Sequence, residues 1–329
     1  MKLHGAVVAF VLAMASLAPA QCTCSAGEPT DAAPTVAPAA VPAAAAEPAK
    51  TVAATYPGLA SAGLTQARLA DLPEGVLLRS GEVTIKASEL ADEMAKAPKE
   101  LQGELRKNAF FVLEQMATRR LLLAEAKAAA AKNGKDAAAL PEQELFKAFF
   151  AKLTAEVKVS DAETAEFYEK NKEMVGGQKL EAVKEAIAGY LRQEKQQEVV
   201  KRHIEALGQR TAVEVSAAWV KEQAPLAKDN PVDKARASGK PSLVDFGSKG
   251  CIPCDKLAPI LETLKTKYEG KATVLFVSVR EEQILAARYG IQSIPVQIFF
   301  DAGGEEVFRH TGFWPQEELE KKLAELGVK

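Results

Sequence analysis

Cys251 and Cys254, in Cys251-Ile252-Pro253-Cys254, are the side chains of this sequence best placed to do chemistry. They follow the apolar run Leu243-Val244-Asp245-Phe246 and open the amphipathic segment Lys256 to Tyr268, so the pattern predicts a strand feeding a helix through two thiols. At a helix N-terminus, unpaired backbone N–H groups and the macrodipole favour negative charge and lower the pKa of a thiol held there. Cys251 is therefore the expected nucleophile and Cys254 the resolving thiol of an exchange between thiols and disulfides. Farther on, Gly290-Ile291-Gln292-Ser293-Ile294-Pro295 leads into Val296 to Phe300, which sets an Ile-Pro step where a strand begins.

From about Pro231 to Lys329 the pattern resembles the thioredoxin family, and the resemblance implies an α/β fold whose central mixed sheet is flanked by helices. Asp245, six residues before Cys251, matches the family's buried carboxylate. A carboxyl group inside an apolar strand resists ionisation, and the resemblance implies that it handles the proton of Cys254. Pro295 matches the family's cis-proline, a geometry rare enough to be kept for a reason; Ile294 before it would offer backbone to an extended substrate. Gly312, in Arg309-His310-Thr311-Gly312-Phe313-Trp314, matches the glycine lining the same groove, which Phe313 and Trp314 would extend. No cofactor is implied beyond the Cys251–Cys254 pair itself.

Two departures stand out. The usual Trp-Cys-Gly-Pro-Cys reads here as Gly250-Cys251-Ile252-Pro253-Cys254, and the lysine that pairs with the buried acid in many thioredoxins is replaced by Phe276. Both bear on rate and potential rather than on the kind of chemistry. The segment is most similar to extracytoplasmic bacterial thioredoxins, which implies a membrane thiol reductase of the DsbD or cytochrome-biogenesis type as electron donor. Pro253 and the aliphatic Ile294 point to a reductant. The alternatives are a disulfide oxidase or isomerase acting on exported proteins as they fold, and a non-catalytic holdase or assembly adaptor that uses the domain only as a surface.

The elements upstream read as helical. Val76 to Ile85 suggests a small hairpin, and a helix is expected to start at Ser88-Glu89-Leu90. Leu101 to Ala131 is a long helical run, followed by Glu142 to Val157, by a short helix capped by Ser160, and by Leu180 to Leu207 with a short Val213-Glu214-Val215 strand after it. Arg119-Arg120-Leu121-Leu122-Leu123-Ala124-Glu125-Ala126 and Val159-Ser160-Asp161-Ala162-Glu163-Thr164-Ala165-Glu166-Phe167-Tyr168 resemble the N-terminal chaperone domain of SurA- and PrsA-type periplasmic isomerases. The isomerase domain that often follows is missing, because Val175-Gly176-Gly177 leads almost directly into the last long helix. The resemblance implies a mostly helical domain that binds unfolded chains or dimerises. Phe146, Phe149 and Phe150 are expected in the core by their helical spacing. His203 is expected to be solvated, and His310 to be a strand residue.

At 329 residues, 47% hydrophobic and formally −2 at pH 7, the chain has room for two domains, and its balanced charge argues against nucleic acid as a ligand. Met1 to Ala20 has the charged start, short apolar core and small-residue end of an export signal. The expected location is therefore the periplasm or another extracytoplasmic space, where disulfide chemistry is at home. Cys22 and Cys24 follow directly; either could accept a lipid anchor or be a local pair on a floppy tail. A zinc site made from both cysteine pairs is disfavoured by their separation and the lack of nearby histidines. The expected organisation is a signal at 1–20, an Ala/Pro-rich disordered linker at 21–72, the helical domain at 73–216, a linker at 217–230 and the thioredoxin-like domain at 231–329. Expected partners are disulfide-containing or unfolded exported proteins, with a homodimer through the helical domain as a further option.

Overall fold

The computed structural model describes residues 50–61, 63–134, 136–172 and 178–329. The expected export signal, Cys22, Cys24 and residues 21–49 of the expected linker lie outside the described residues. The elements run α1 (Val52–Thr55), β1 (Arg68–Ala70), β2 (Val76–Ser80), β3 (Val83–Lys86), α2 (Ala87–Ala95), α3 (Lys99–Lys107), α4 (Ala109–Lys132), α5 (Glu142–Leu153), α6 (Asp161–Lys170) and α7 (Leu180–Arg210). They continue through β4 (Glu214–Ser216), α8 (Ala217–Lys228), α9 (Pro231–Arg236), β5 (Ser242–Gly247), α10 (Ile252–Lys267), β6 (Thr273–Ser278), α11 (Gln283–Arg288), β7 (Val296–Phe300), β8 (Glu306–Thr311) and α12 (Gln316–Glu325).

The second half is built on a mixed sheet in the order β6-β5-β7-β8. β5 and β6 run parallel, joined across one face by α10, whereas β7 is antiparallel to both β5 and β8. Every residue of β5 is buried, as expected of a central strand covered on both faces. Alternation then sorts the side chains. Leu243 and Phe299 meet Leu257, Leu261 and Leu264 of α10 and Leu319 and Leu323 of α12. Val244, Phe246, Ile298 and Phe300 meet Val232 of α9 and Leu285 and Ala286 of α11.

In the first half α4 is the core helix. Phe110, Val112, Leu113, Ala117 and Leu122 are fully buried, so α4 is apolar over more than one face and is covered by α5, α7, α8 and β3. The run expected from Leu101 to Ala131 is two helices, because Asn108 leaves helical geometry at φ −105°, ψ 31° and turns its amide back onto the Glu104 carbonyl. α2 starts at Ala87 rather than at a Ser88 cap. The Glu89 carboxylate, in the third helical position, accepts from the Lys86 N–H at 2.8 Å, while the Lys86 side chain itself makes no cap.

Four further expectations are corrected. The linker expected to reach residue 72 is folded from residue 50 onward: Val52, Leu59, Leu64 and Ala67 are buried. The Glu114 carboxylate on α4, itself buried, draws this segment in by accepting from Ser61 Oγ at 2.7 Å and from the N–H groups of Ser61 and Leu64 at 3.0 and 3.1 Å. The expected hairpin is part of a four-stranded sheet, β1-β4-β2-β3, whose β1 pairs in parallel with β4, Arg68 opposite Glu214. The linker expected at 217–230 is the helix α8, capped by Ser216, with Val220, Ala224 and Ala227 buried. Finally, His203 is not solvated: its Nε2 lies 2.7 Å from Glu125 Oε2, and its side chain is only 19% exposed. Phe150 is buried, while Phe146 and Phe149 pack against the core half-exposed.

The two halves are in contact. Ile284 of α11 belongs to the core of the first half. The Glu104 carboxylate of α3 accepts from the backbone N–H groups of Ile284 and Leu285 at 2.8 and 3.2 Å, which caps the first turn of α11. Arg288, at its far end, donates to the Gly58 and Ala227 carbonyls at 2.7 Å each and to Asp233 at 2.8 Å.

Candidate active site

Cys251 is the N-cap of α10, its Sγ accepting from the Cys254 N–H at 3.4 Å. The two cysteines are joined in a disulfide with Cα atoms 5.2 Å apart. Pro253 sits in the first turn, where a missing N–H leaves nothing unpaired. Cys251 is half-exposed whereas Cys254 is only 4% exposed. Only the first sulfur is thus open to a second molecule. Ile252 beside it is 75% exposed, an apolar side chain standing at the rim of the disulfide. Gly250, in the place of the family's aromatic, adopts φ +79°, left-handed backbone that a bulky residue takes only under strain.

Asp245 is completely buried on the central strand, on the same sheet face as α10. Burial, only partly offset by a hydrogen bond from Gln297, pushes its carboxyl group up to about 6. The gap between this acid and Cys254 is the space a side chain at Gly247 would fill. A Cβ there would lie 3.4 Å from Asp245 Oδ2, 3.4 Å from the Cβ of Cys254 and 2.9 Å from the Phe276 ring. Glycine thus leaves Asp245 and Cys254 facing each other. Phe276, in the place of the family's lysine, is opposite Asp245 in register and brings no charge.

The Ile294-Pro295 peptide bond is cis. Because Val296 pairs with both Phe246 and Thr311, Pro295 lies at the end of the sheet where β5 runs toward Cys251. The Gly312 N–H donates to the Pro295 carbonyl at 2.8 Å, with Gly312 at φ +104°. The structure therefore brings Ile294, Pro295 and Gly312 into one loop cluster at the end of the sheet from which β5 leads to Cys251. Trp314 is the exception: its ring stacks on Phe308 and His310, centroids 5.1 and 4.7 Å away, and meets the edge of Phe299. It is committed to packing on the sheet face rather than to a groove, because β8 carries an aromatic on that same face.

Two residues went unrecognised in the sequence. Gln297 gives Asp245 its sole side-chain hydrogen bond among the described residues, at 2.7 Å; the signal available was a polar residue in the apolar strand Val296 to Phe300. Tyr190, on α7, shares a side-chain hydrogen bond with Ser293, two residues before Pro295. Nothing local to Tyr190 announces this contact across more than a hundred residues of chain. Among the described residues no group of three or more His, Cys, Asp and Glu side chains could hold a metal ion, and no helix is long and apolar enough to cross a membrane.

The family model for a thioredoxin-like domain matches residues 229–327. A thioredoxin of Staphylococcus aureus is 44% identical over 81 residues, which make up 25% of this chain and 77% of that protein. Among solved structures, a point mutant of the thioredoxin of Halobacterium salinarum is 30% identical, covers 30% of this chain and 83% of its own, and superposes with a TM-score of 0.27. The thioredoxin pre-protein of Schistosoma mansoni in its reduced form is 29% identical over 26% of this chain and 79% of its own, with a TM-score of 0.24. Through this C-terminal domain, with its Cys-Ile-Pro-Cys turn, the chain belongs to the thioredoxin family of thiol–disulfide oxidoreductases.

Proposed function

We propose that the protein is an extracytoplasmic reductant of protein disulfides, with Cys251 as nucleophile, Cys254 as resolving thiol and Asp245 as the base that serves it. The observation that carries this is the half-exposed Cys251 bonded to a buried Cys254 at the head of α10, above a buried carboxyl group held near neutrality. In the reduced protein the Cys251 thiolate attacks one sulfur of a client disulfide. That client bond breaks, a bond between Cys251 and the client forms, and the other client sulfur leaves as thiolate. Cys254 then gives its proton to Asp245 and attacks the sulfur of Cys251; the protein disulfide closes and the second client thiolate is released. Two electrons pass from the dithiol to the client, and a base titrating near 6 is suited to such proton traffic near neutral pH.

Ile294, Pro295 and Gly312 would hold an extended client segment beside Cys251, with exposed Ile252 as an apolar contact. The electron donor would be a membrane thiol reductase of the DsbD or cytochrome-biogenesis type, and the clients exported proteins. Export rests on the apolar segment following Met1-Lys2-Leu3-His4, with anchoring through Cys22 or Cys24 as its extension. The first half would present these clients, as the SurA-like pattern of its helices suggests.

The test is direct. The full chain, reduced with dithiothreitol and freed of it, is mixed with a small aromatic disulfide and with a disulfide-bonded unfolded protein. Stoichiometric reduction of both is expected, Cys251→Ser abolishing it and Cys254→Ser accumulating mixed disulfides. Undiminished reduction by Cys251→Ser would rule the proposal out.

A further inference from the structure

Four residues lie side by side across the sheet in a single register row: Phe276 on β6, Asp245 on β5, Gln297 on β7 and His310 on β8. Residues in one row leave a sheet on the same face, here the face beneath α10 and Cys254. Gln297 is fully buried and its Nε2 donates to Asp245 Oδ1 at 2.7 Å. The complementary atoms, Asp245 Oδ2, Gln297 Oε1 and His310 Nε2, are all buried without a hydrogen-bond partner, three of the six such side-chain atoms among the described residues. An unsatisfied buried polar atom costs about 1–3 kcal/mol, so half of them in one row marks a place where packing has been subordinated to something else.

An acid that takes a proton and returns it at every turnover needs a neighbour that suits both of its forms. An ammonium group only donates, so it serves the carboxylate alone. A primary amide serves both: its NH2 donates to a carboxylate, and, turned over, its carbonyl accepts from the O–H of a carboxylic acid. His310 supplies what the other end of the amide then requires. Its imidazolium donates through Nε2 to the amide carbonyl, and its neutral form accepts there from the turned NH2. Cross-strand neighbours have Cβ atoms about 4.5–5.5 Å apart, which sets Gln297 within reach of both flanking residues. The ring of His310 is fixed by the Phe313 backbone and by stacking on Trp314.

We propose that Gln297 is a positioning residue of the exchange reaction, its amide turning over as Asp245 gains and loses the proton of Cys254, with His310 engaging the opposite end of the amide. The amide itself carries no proton; it exchanges which atom faces the acid. The inference rests on Asp245 acting as the base for Cys254. Burial pushes Asp245 up and His310 down, which brings the two titrations toward each other. Among the described residues, the other charged or titratable groups that the packed elements bring to this face include Cys254 and Lys256 of α10, the latter over the Phe313 ring at 6.0 Å, the buried Tyr268 at its end, the pair Lys267–Glu320 at 2.8 Å, and Lys322 of α12 over the Phe308 ring at 4.4 Å. β6 brings the uncharged Val274 and Phe276.

The test is an NMR titration of the His310 imidazole in the reduced full chain, where it is one of three histidines, alongside the pH profile of mixed-disulfide resolution. Two inflections are expected for His310 in the native chain, and a single one in both Asp245→Asn and Gln297→Met. In Gln297→Met the acidic limb of the resolution profile is expected to move up by about one pH unit, since the carboxylate loses its donor. A single inflection in the native chain, or two retained in a folded Gln297→Met, overturns the proposal. If Gln297→Met does not fold, two inflections retained in Asp245→Asn overturn the proposal, since the second inflection must come from the acid. Should the native chain reduce no disulfide, the exchange mechanism fails; should it do so with a limb that moves in Asp245→Asn and stays fixed in Gln297→Met, only the role of Gln297 fails.

Discussion

At the scale of single residues, the site is governed by what each side chain is denied. Asp245 is denied water, and the consequence is thermodynamic as well as catalytic. Its folded pKa of about 6 lies above the ordinary 3.8, so the folded form holds a proton that the unfolded form releases between those values. Stability therefore falls as pH rises through that window and is fully reduced above about 6, by about 3 kcal/mol for a shift of roughly two units. Asp245→Asn is expected to stabilise the oxidised chain by up to that amount at pH 8 and to have little effect below pH 4, as urea denaturation at the two pH values will show. The same variant is expected to slow resolution of a mixed disulfide at least tenfold. Gly247 is denied a side chain for a related reason. Gly247→Ala displaces the exposed edge of Phe276, at a cost of about 1 kcal/mol, but sets a methyl group between acid and resolving cysteine. Mixed disulfide should then persist in stopped-flow or quenched samples of that variant.

At the scale of elements, α11 carries the coupling between the halves. It is a helix of six residues, Gln283–Arg288, too short to be stable alone, and its first turn is capped by a carboxylate 180 residues earlier in the chain. Burial raises the pKa of Glu104, while the two backbone N–H groups of α11 pull it down. Glu104→Ala is expected to cost about 1–2 kcal/mol, as the loss of a cap does, and to speed hydrogen exchange at the amides of Ile284 and Leu285. Because α11 leads through Gly290 and Ile291 to the Ile294-Pro295 turn, and Tyr190 of α7 bonds Ser293 in that turn, the helical half touches the segment from α11 to Pro295 near both of its ends. These contacts were not legible beforehand. The Glu89 carboxylate at the head of α2 and the Ser160 cap of α6 are local patterns that a sequence displays, whereas Glu104 is an ordinary glutamate on a polar helix until α11 is brought against it.

At the scale of the whole molecule, the junction is sealed by a buried ion cluster. Arg288, with a side chain only 3% exposed, is paired with Asp233, and Tyr289 Oη donates to the second oxygen of Asp233 at 3.0 Å. Desolvation pushes the Tyr289 phenol well above its usual range. Arg288 also reaches Gly58, in a segment whose composition had suggested a free tether. Arg288→Met leaves Asp233 buried with less compensation and removes the bond to the first half. It is expected to cost about 3–5 kcal/mol and to split one calorimetric transition into two as the halves uncouple. A single transition at the native temperature would show the junction to be without energetic weight.

What the sequence by itself determined is local: a thiol pair at the head of a helix, an acid in an apolar strand, an Ile-Pro step before another strand, and helices spelled out by apolar spacing and caps. Each is written in neighbouring residues, because helix and strand periods and turn chemistry act over a few positions. The tertiary structure alone decided that Val52, Leu59, Leu64 and Ala67 are core rather than tether, that Trp314 stacks on Phe308 and His310, that Gln297 and His310 extend the acid's row, and that a helix of the first half abuts the segment before Pro295. Those outcomes depend on pairings across the chain, such as Arg68 with Glu214 or Asp245 with Gln297. Their energy exists only once distant strands and helices have excluded water together.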